Sequence, residues 1–144
     1  MEEPLFVPSR VRLGLVAGHA EAAVRATAEL LRGAPGLSSW DDLWQSIASR
    51  QTAELSGGVC LAHGRIASLA EPLVAAARLA APVPGTKGPV RFVFVFAIPA
   101  AMAEEYLRTV GALARCCGDA QKMKALQAAD TPEKFAGLAA EWTA

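Results

Sequence analysis

Gly57-Gly58-Val59-Cys60-Leu61-Ala62-His63-Gly64-Arg65 sets one imidazole behind a short apolar run, with two glycines before it and a third directly after. The spacing predicts a strand over Val59 to Ala62 that presents His63 at its end. A neutral imidazole is nucleophilic near neutral pH, and the missing side chain at Gly64 leaves room for a bulky or charged partner beside the ring. Group transfer onto nitrogen is the chemistry this suggests. A histidine in such a place also reads as a half-buried strand residue with its polar atoms satisfied, and the nine residues alone leave both readings open.

Other pairings of reactive residues are weaker. Cys60 and His63 form Cys-x-x-His, but zinc takes three or four ligands, and His19, Cys116 and Cys117 show no paired ligand spacing. Cys60 as a nucleophile would need a base beside it, yet residues three apart on a strand face opposite ways. It reads better as a small buried hydrophobe. Gly57-Gly58 lacks the Lys-Ser/Thr that completes a nucleotide-binding loop, so no nucleotide, metal or other cofactor is expected. Trp40 and Trp44, four apart, read as a core or interface stripe.

These residues must be held by a recognisable order of elements. Val11, Leu13 and Leu15 alternate with Arg12, Gly14 and Val16, which predicts a first strand with one apolar face. Ala20 to Arg32 has helical composition and is stopped by Gly33 and Pro35. Ser39 before Trp40-Asp41-Asp42 resembles a capping box, and Trp40, Leu43, Trp44 and Ile47 follow at helical spacing, so a second helix should end near Arg50. Leu73 to Leu79 reads as a strand or, from its alanines, a helix. Residues 81–89 carry three prolines and two glycines and read as a surface loop.

Val90 to Ile98 is apolar at every position but Arg91, with Phe92, Phe94 and Phe96 on one face and Val93, Val95 and Ala97 on the other. Such a strand is buried on both sides and needs layers above and below it. Pro99 should open a helix over about Ala101 to Cys117, with Ala103, Leu107, Val110 and Ala114 as its apolar stripe. Two shorter helices follow, one from Asp119 to about Ala128 and one capped by Thr131 with Pro132 at its first position. The expected architecture is a three-layer α/β/α sandwich around a mixed sheet, formed by a single domain over residues 1–144.

The His63 segment, together with this element order from about Arg10 to Trp142, resembles the enzyme IIA component of the bacterial phosphoenolpyruvate sugar phosphotransferase system, in its fructose/mannitol/nitrogen-regulatory class. The resemblance implies that His63 carries a phosphoryl group. It would be received from an HPr-type phosphocarrier and passed to a IIB component, or used to signal to a regulated transporter or kinase. Ala62 stands where the family usually has proline. By the same resemblance Arg50 would bind the phosphoryl group, since a planar guanidinium can hold two phosphate oxygens at once. The spacing from Arg50 to His63 is about three residues shorter than usual, and Arg50 also reads as a solvated cation at a helix C-terminus. Tyr106, in Glu104-Glu105-Tyr106-Leu107, falls where the family places a second histidine. A phenol can donate a hydrogen bond to a phosphate oxygen but stays neutral near pH 7. Tyr106 also reads as a packing residue, and Arg65 as surface charge. The departures at Ala62 and Tyr106 give a rival reading, a degenerate regulatory module that binds a protein partner without being phosphorylated.

Composition bounds these readings. The chain has 144 residues, 53% of them hydrophobic, which is enough for one substantial core. Fourteen basic residues balance fourteen acidic ones, so no overall field draws the chain to nucleic acid or to an acidic membrane. Three cysteines, two of them adjacent, do not make a disulfide framework and fit a reducing cytoplasm. Met1-Glu2-Glu3-Pro4 lacks the basic and apolar regions of a leader, and the apolar stretch Phe92 to Ala103 is short and broken by Pro99, so no membrane insertion is expected.

Overall fold

The computed structural model describes residues 4–144, so Met1-Glu2-Glu3, part of the reading of the N-terminus, lies outside the described residues. Five strands form one mixed sheet: β1 (Val11–Leu15), β2 (Ala53–Leu55), β3 (Val59–Ile66), β4 (Leu73–Val83) and β5 (Val90–Pro99), in the spatial order β1-β4-β5-β3-β2. β1 runs parallel to β4 and β3 parallel to β5, while β4 with β5 and β2 with β3 are antiparallel. Helices α1 (Ala20–Ala28) and α2 (Trp40–Ala48) cover one face, and α3 (Ala103–Cys117), α4 (Ala120–Ala128) and α5 (Pro132–Thr143) cover the other. The expected α/β/α sandwich is thus observed.

β5 is the reason for two helical layers. Every residue from Phe92 to Ile98 is at most 2% exposed. Phe92, Phe94 and Phe96 pack into the core shared with Leu113, Leu126 and Phe135, while Val93, Val95 and Ala97 pack toward Val24, Leu43 and Ile47. Each fully buried phenylalanine contributes about 1.5–3 kcal/mol of apolar transfer. Small residues dominate the other face, where Ala62, Ala75, Ala77 and Ala97 let α1 and α2 lie close to the sheet.

The helix starts follow the expected capping chemistry. The Ser39 hydroxyl accepts from the Asp42 N–H at 3.2 Å, the Asp119 carboxylate from Gln121 and Lys122, and the Thr131 hydroxyl from Lys134, with Pro132 in the first turn. His19 adds one that the sequence did not announce, its Nδ1 accepting from the Ala22 N–H at 3.2 Å. It is thereby the N-cap of α1.

Several elements differ from expectation. α1 stops at Ala28, and Glu29–Leu31 tighten into a 3₁₀ turn instead of continuing to Arg32; the Trp40 indole N–H donates to the Ala28 carbonyl at 2.8 Å. The face of β1 is not uniform. At Gly14 (φ +76°) the pairing with β4 shifts register, so Val11 and Leu13 pack toward α5 while Leu15 turns to the α1 side. β4 is a strand despite its alanines, because it lies between β1 and β5, where ladder pairing and burial override intrinsic preference. It continues to Val83, so the loop is shorter than residues 81–89; the β4–β5 pairing is irregular between Arg78 and Val83, where Pro82 has no N–H to give. The inward stripe of α3 is also shifted. Leu107 is 67% exposed, while Leu113, Cys116 and Cys117 are buried and Tyr106 and Val110 are partly so. β2 was not anticipated. No helix among the described residues is long and apolar enough to cross a membrane.

Candidate functional site

β3 runs through His63 to Ile66 rather than ending at Ala62, so the histidine is an interior strand residue. β2 pairs only with Val59, Cys60 and Leu61, which leaves the outer edge of β3 without a strand neighbour from Ala62 onward. α2 takes over there. The Ser46 hydroxyl accepts the Arg65 N–H at 2.9 Å, a donor that would otherwise lack a ladder partner. On the inner edge His63 is in register with Phe96 of β5.

Gly64 has a different purpose from the one its position suggested. A Cβ there would lie 2.9 Å from Leu43 Cδ1, 3.1 Å from the Leu43 carbonyl oxygen and 3.2 Å from Ile47 Cγ1. Its side-chain position faces α2, whereas the imidazole on the preceding residue faces α3. The glycine therefore admits a helix against the back of the strand, and makes no room beside the ring.

On the α3 side His63 meets Tyr106. Their ring centroids are 4.8 Å apart with planes tilted by 38°, and Tyr106 also stands edge-on to Phe96 at 5.3 Å. His63 is half-buried. Burial is the main cause holding its pKa below the ordinary value, and the positive charges of Arg50 and Arg65 push the same way. The imidazole is therefore kept neutral, with a ring lone pair for a nucleophilic step. Burial alone pushes the Tyr106 phenol up to about 12, so it stays protonated and can donate a hydrogen bond.

Of the residues singled out by sequence, only Tyr106 is in contact with His63, while Arg50 lines a hollow with Ala20, Val24, Trp44 and Ile47 on the α1–α2 side. From there, just beyond α2, Arg50 is near enough for its charge to bear on the imidazole. Cys60 faces away from Tyr106, into the α1–α2 core, where burial raises its thiol pKa and keeps it protonated. Among the described residues no three His, Cys, Asp or Glu side chains come together to hold a metal ion. Trp40 and Trp44 stack at 6.1 Å with Arg32 over Trp40 at 4.2 Å, which makes them packing residues of α2. Ser46 is the contributor that sequence reasoning missed; no motif ties a helix-surface serine to a backbone N–H 19 residues away.

What this arrangement can do is bounded by its parts: a neutral nucleophilic nitrogen, a protonated phenol against it, and guanidinium charge nearby. These suit acceptance of an anionic group such as phosphoryl, whose transfer needs positioning and cationic donors more than covalent help from the protein.

Comparisons with known proteins agree with the fold. The nitrogen regulatory protein IIA-Ntr from Neisseria meningitidis superposes with a TM-score of 0.84 at 21% identity, over 94% of this chain and 96% of that one. IIA mannitol from Escherichia coli superposes with a TM-score of 0.72 at 16% identity, over 91% and 96%. The E. coli enzyme IIA mannitol solved in complex with phosphorylated enzyme IIB mannitol gives 0.73 at 16%, over 92% and 95%. No curated protein matches in sequence. The family model described as phosphoenolpyruvate-dependent sugar phosphotransferase system, EIIA 2, matches residues 5–140, nearly the full length, and the chain belongs to that family.

Proposed function

We propose that this protein is a phosphohistidine carrier or phosphorylation-state signal of the phosphotransferase system, with His63 as the residue that takes the phosphoryl group from an HPr-type carrier. The observation that carries the reading is a half-buried imidazole, held neutral by its surroundings, beside arginine charge in a chain of the EIIA family. The step balances simply. A ring lone pair of His63 attacks phosphorus, and the donor's P–N bond breaks with its electron pair returning to the donor imidazole. The proton on the other His63 nitrogen leaves to solvent as the donor ring takes one up. Arg50 steadies the phosphoryl oxygens, and Tyr106 donates to one of them. No metal or nucleotide is needed.

Phosphorylation then adds roughly 1.5–2 negative charges, if phosphohistidine behaves like other phosphorylated side chains, to a chain whose formal net charge is zero. That change is large enough to decide partner binding. By analogy with the mannitol pair, a IIB component is the receiving partner; a regulated transporter or kinase is the alternative recipient of the signal. The reading places the protein in the cytoplasm. Incubation with a phosphoenolpyruvate-driven donor system should label wild type and leave His63→Ala unlabelled, and equal labelling of both would overturn it. The Tyr106 ring packed on His63 favours a second reading, a protein-binding module that is not phosphorylated. It predicts no acid-labile mass adduct under active donor conditions.

A further inference from the structure

We infer that Arg65 is a second phosphoryl-binding residue, so that a phosphoryl group on His63 is held by two guanidiniums, Arg50 from the turn after α2 and Arg65 from the strand itself. The inference rests on the proposed role of His63 and adds a ligand contact to it.

Three observations converge on Arg65. Residues two apart on a strand share a face, so Arg65 follows His63 on the α3 side, about 6.6 Å further along at the usual strand rise. That is a short span for an arginine side chain, which is exposed here and can fold back over the ring. Its backbone is fixed on three sides: the N–H is bound by Ser46, the strand is in register with Ile98, and α2 is wedged against Gly64. A flexible side chain on an immobile base loses less freedom when it closes on a ligand than one on a loop.

The guanidinium is also uncommitted. Among the described residues the ion pairs use Arg32, Arg108 and Lys134, while Arg78 donates to the carbonyls of Leu126 and Ala129. Arg25 and Arg32 lie over the tryptophans. Neither Arg50 nor Arg65 has an acidic partner within that set. Two unpaired cations near one neutral nucleophile are a cost in the empty site, since like charges repel. A group carrying nearly two negative charges relieves that cost. The charge on His63 after transfer is then matched within the same chain, without the imidazolium that Tyr106 cannot supply.

The test uses inorganic phosphate as the probe, titrated at constant ionic strength into wild type, Arg65→Ala, Arg65→Lys and Arg50→Ala while the ring resonances of His63 and Tyr106 are followed. Arg65→Ala should weaken phosphate binding by about three- to tenfold, a charge-assisted contact discounted for exposure. Arg65→Lys should recover only part of it, because an ammonium cannot bind two oxygens in a fork. Melting temperatures should match wild type. If Arg65→Ala binds phosphate as wild type does, or wild type binds none, Arg65 is ordinary surface charge and the inference falls. If binding depends on Arg65 but no donor ever phosphorylates His63, the relay reading falls while the anion site stands.

Discussion

Replacing Gly64 by alanine tests how the site is held. The added methyl would sit 2.9 Å from Leu43 Cδ1 and 3.1 Å from the Leu43 carbonyl oxygen. The methyl contact can be relieved by moving a side chain, but the carbonyl contact only by lifting the helix. Leu43 is 0% exposed and has little space to retreat into. Overpacking of this kind costs about 1–3 kcal/mol, against a gain of about 0.4–1 kcal/mol from restricting the unfolded chain, since the conformation at Gly64 is one alanine can adopt. A net loss of about 1–2 kcal/mol is expected, which for 144 residues lowers the melting temperature by on the order of 3–7 °C. Urea denaturation of Gly64→Ala, Leu43→Ala and the double variant separates the cause. Leu43→Ala alone should cost about 2–5 kcal/mol, and in its background the second change should lose only the part of its cost that comes from the Cδ1 contact, the carbonyl contact being unchanged. Equal costs in both backgrounds would assign the whole clash to the helix backbone, and a Gly64→Ala variant as stable as wild type would refute the reasoning that Gly64 exists to seat α2.

Tyr106 is the only tyrosine, so alkaline absorbance reports it without ambiguity. The phenolate should appear with a midpoint near 12 in the folded protein, where an exposed phenol titrates near 10. Because the folded value is raised, its contribution to stability is complete below the unfolded pKa and is lost as pH climbs through the folded one; Tyr106→Phe should lack that alkaline loss, and a midpoint at the ordinary value would show that the ring is not buried against His63. Arg78 donates through Nη1 to the Leu126 and Ala129 carbonyls at 3.2 and 2.6 Å, tying the α4–α5 junction to β4. Arg78→Met should cost about 1.5–3 kcal/mol and speed amide exchange through α4 and α5, and a change under about 0.5 kcal/mol would remove the clamp from the account.

Local patterns made much of this fold legible. The doubly apolar run of β5 demanded helices on both faces, and Ser39, Asp119 and Thr131 marked helix starts, because burial on two sides and capping each depend on a few adjacent residues. Where a neighbour decided the outcome, the sequence was silent or misleading. The alanines of β4 suit a helix or a strand until β1 and β5 flank them. The stripe of α3 was misplaced toward Leu107 because several phases of an alanine-rich helix bury comparable apolar surface, and only the sheet beneath selects one. β2 is three residues long and exists through its pairing with β3.

At the site the division is the same. Residue types by themselves determined which atoms are available: one imidazole in a glycine-flanked apolar run, arginines before and after it, a phenol some forty residues on. They could not determine the length of β3, which side of it each residue faces, or that Gly64 serves α2 and not the imidazole. Those depend on strand parity, on β2 stopping at Leu61, and on the depth at which α2 lies against the strand. Chemical capacity is a property of side chains and can be read one residue at a time, whereas orientation and proximity come from packing between segments far apart in the chain.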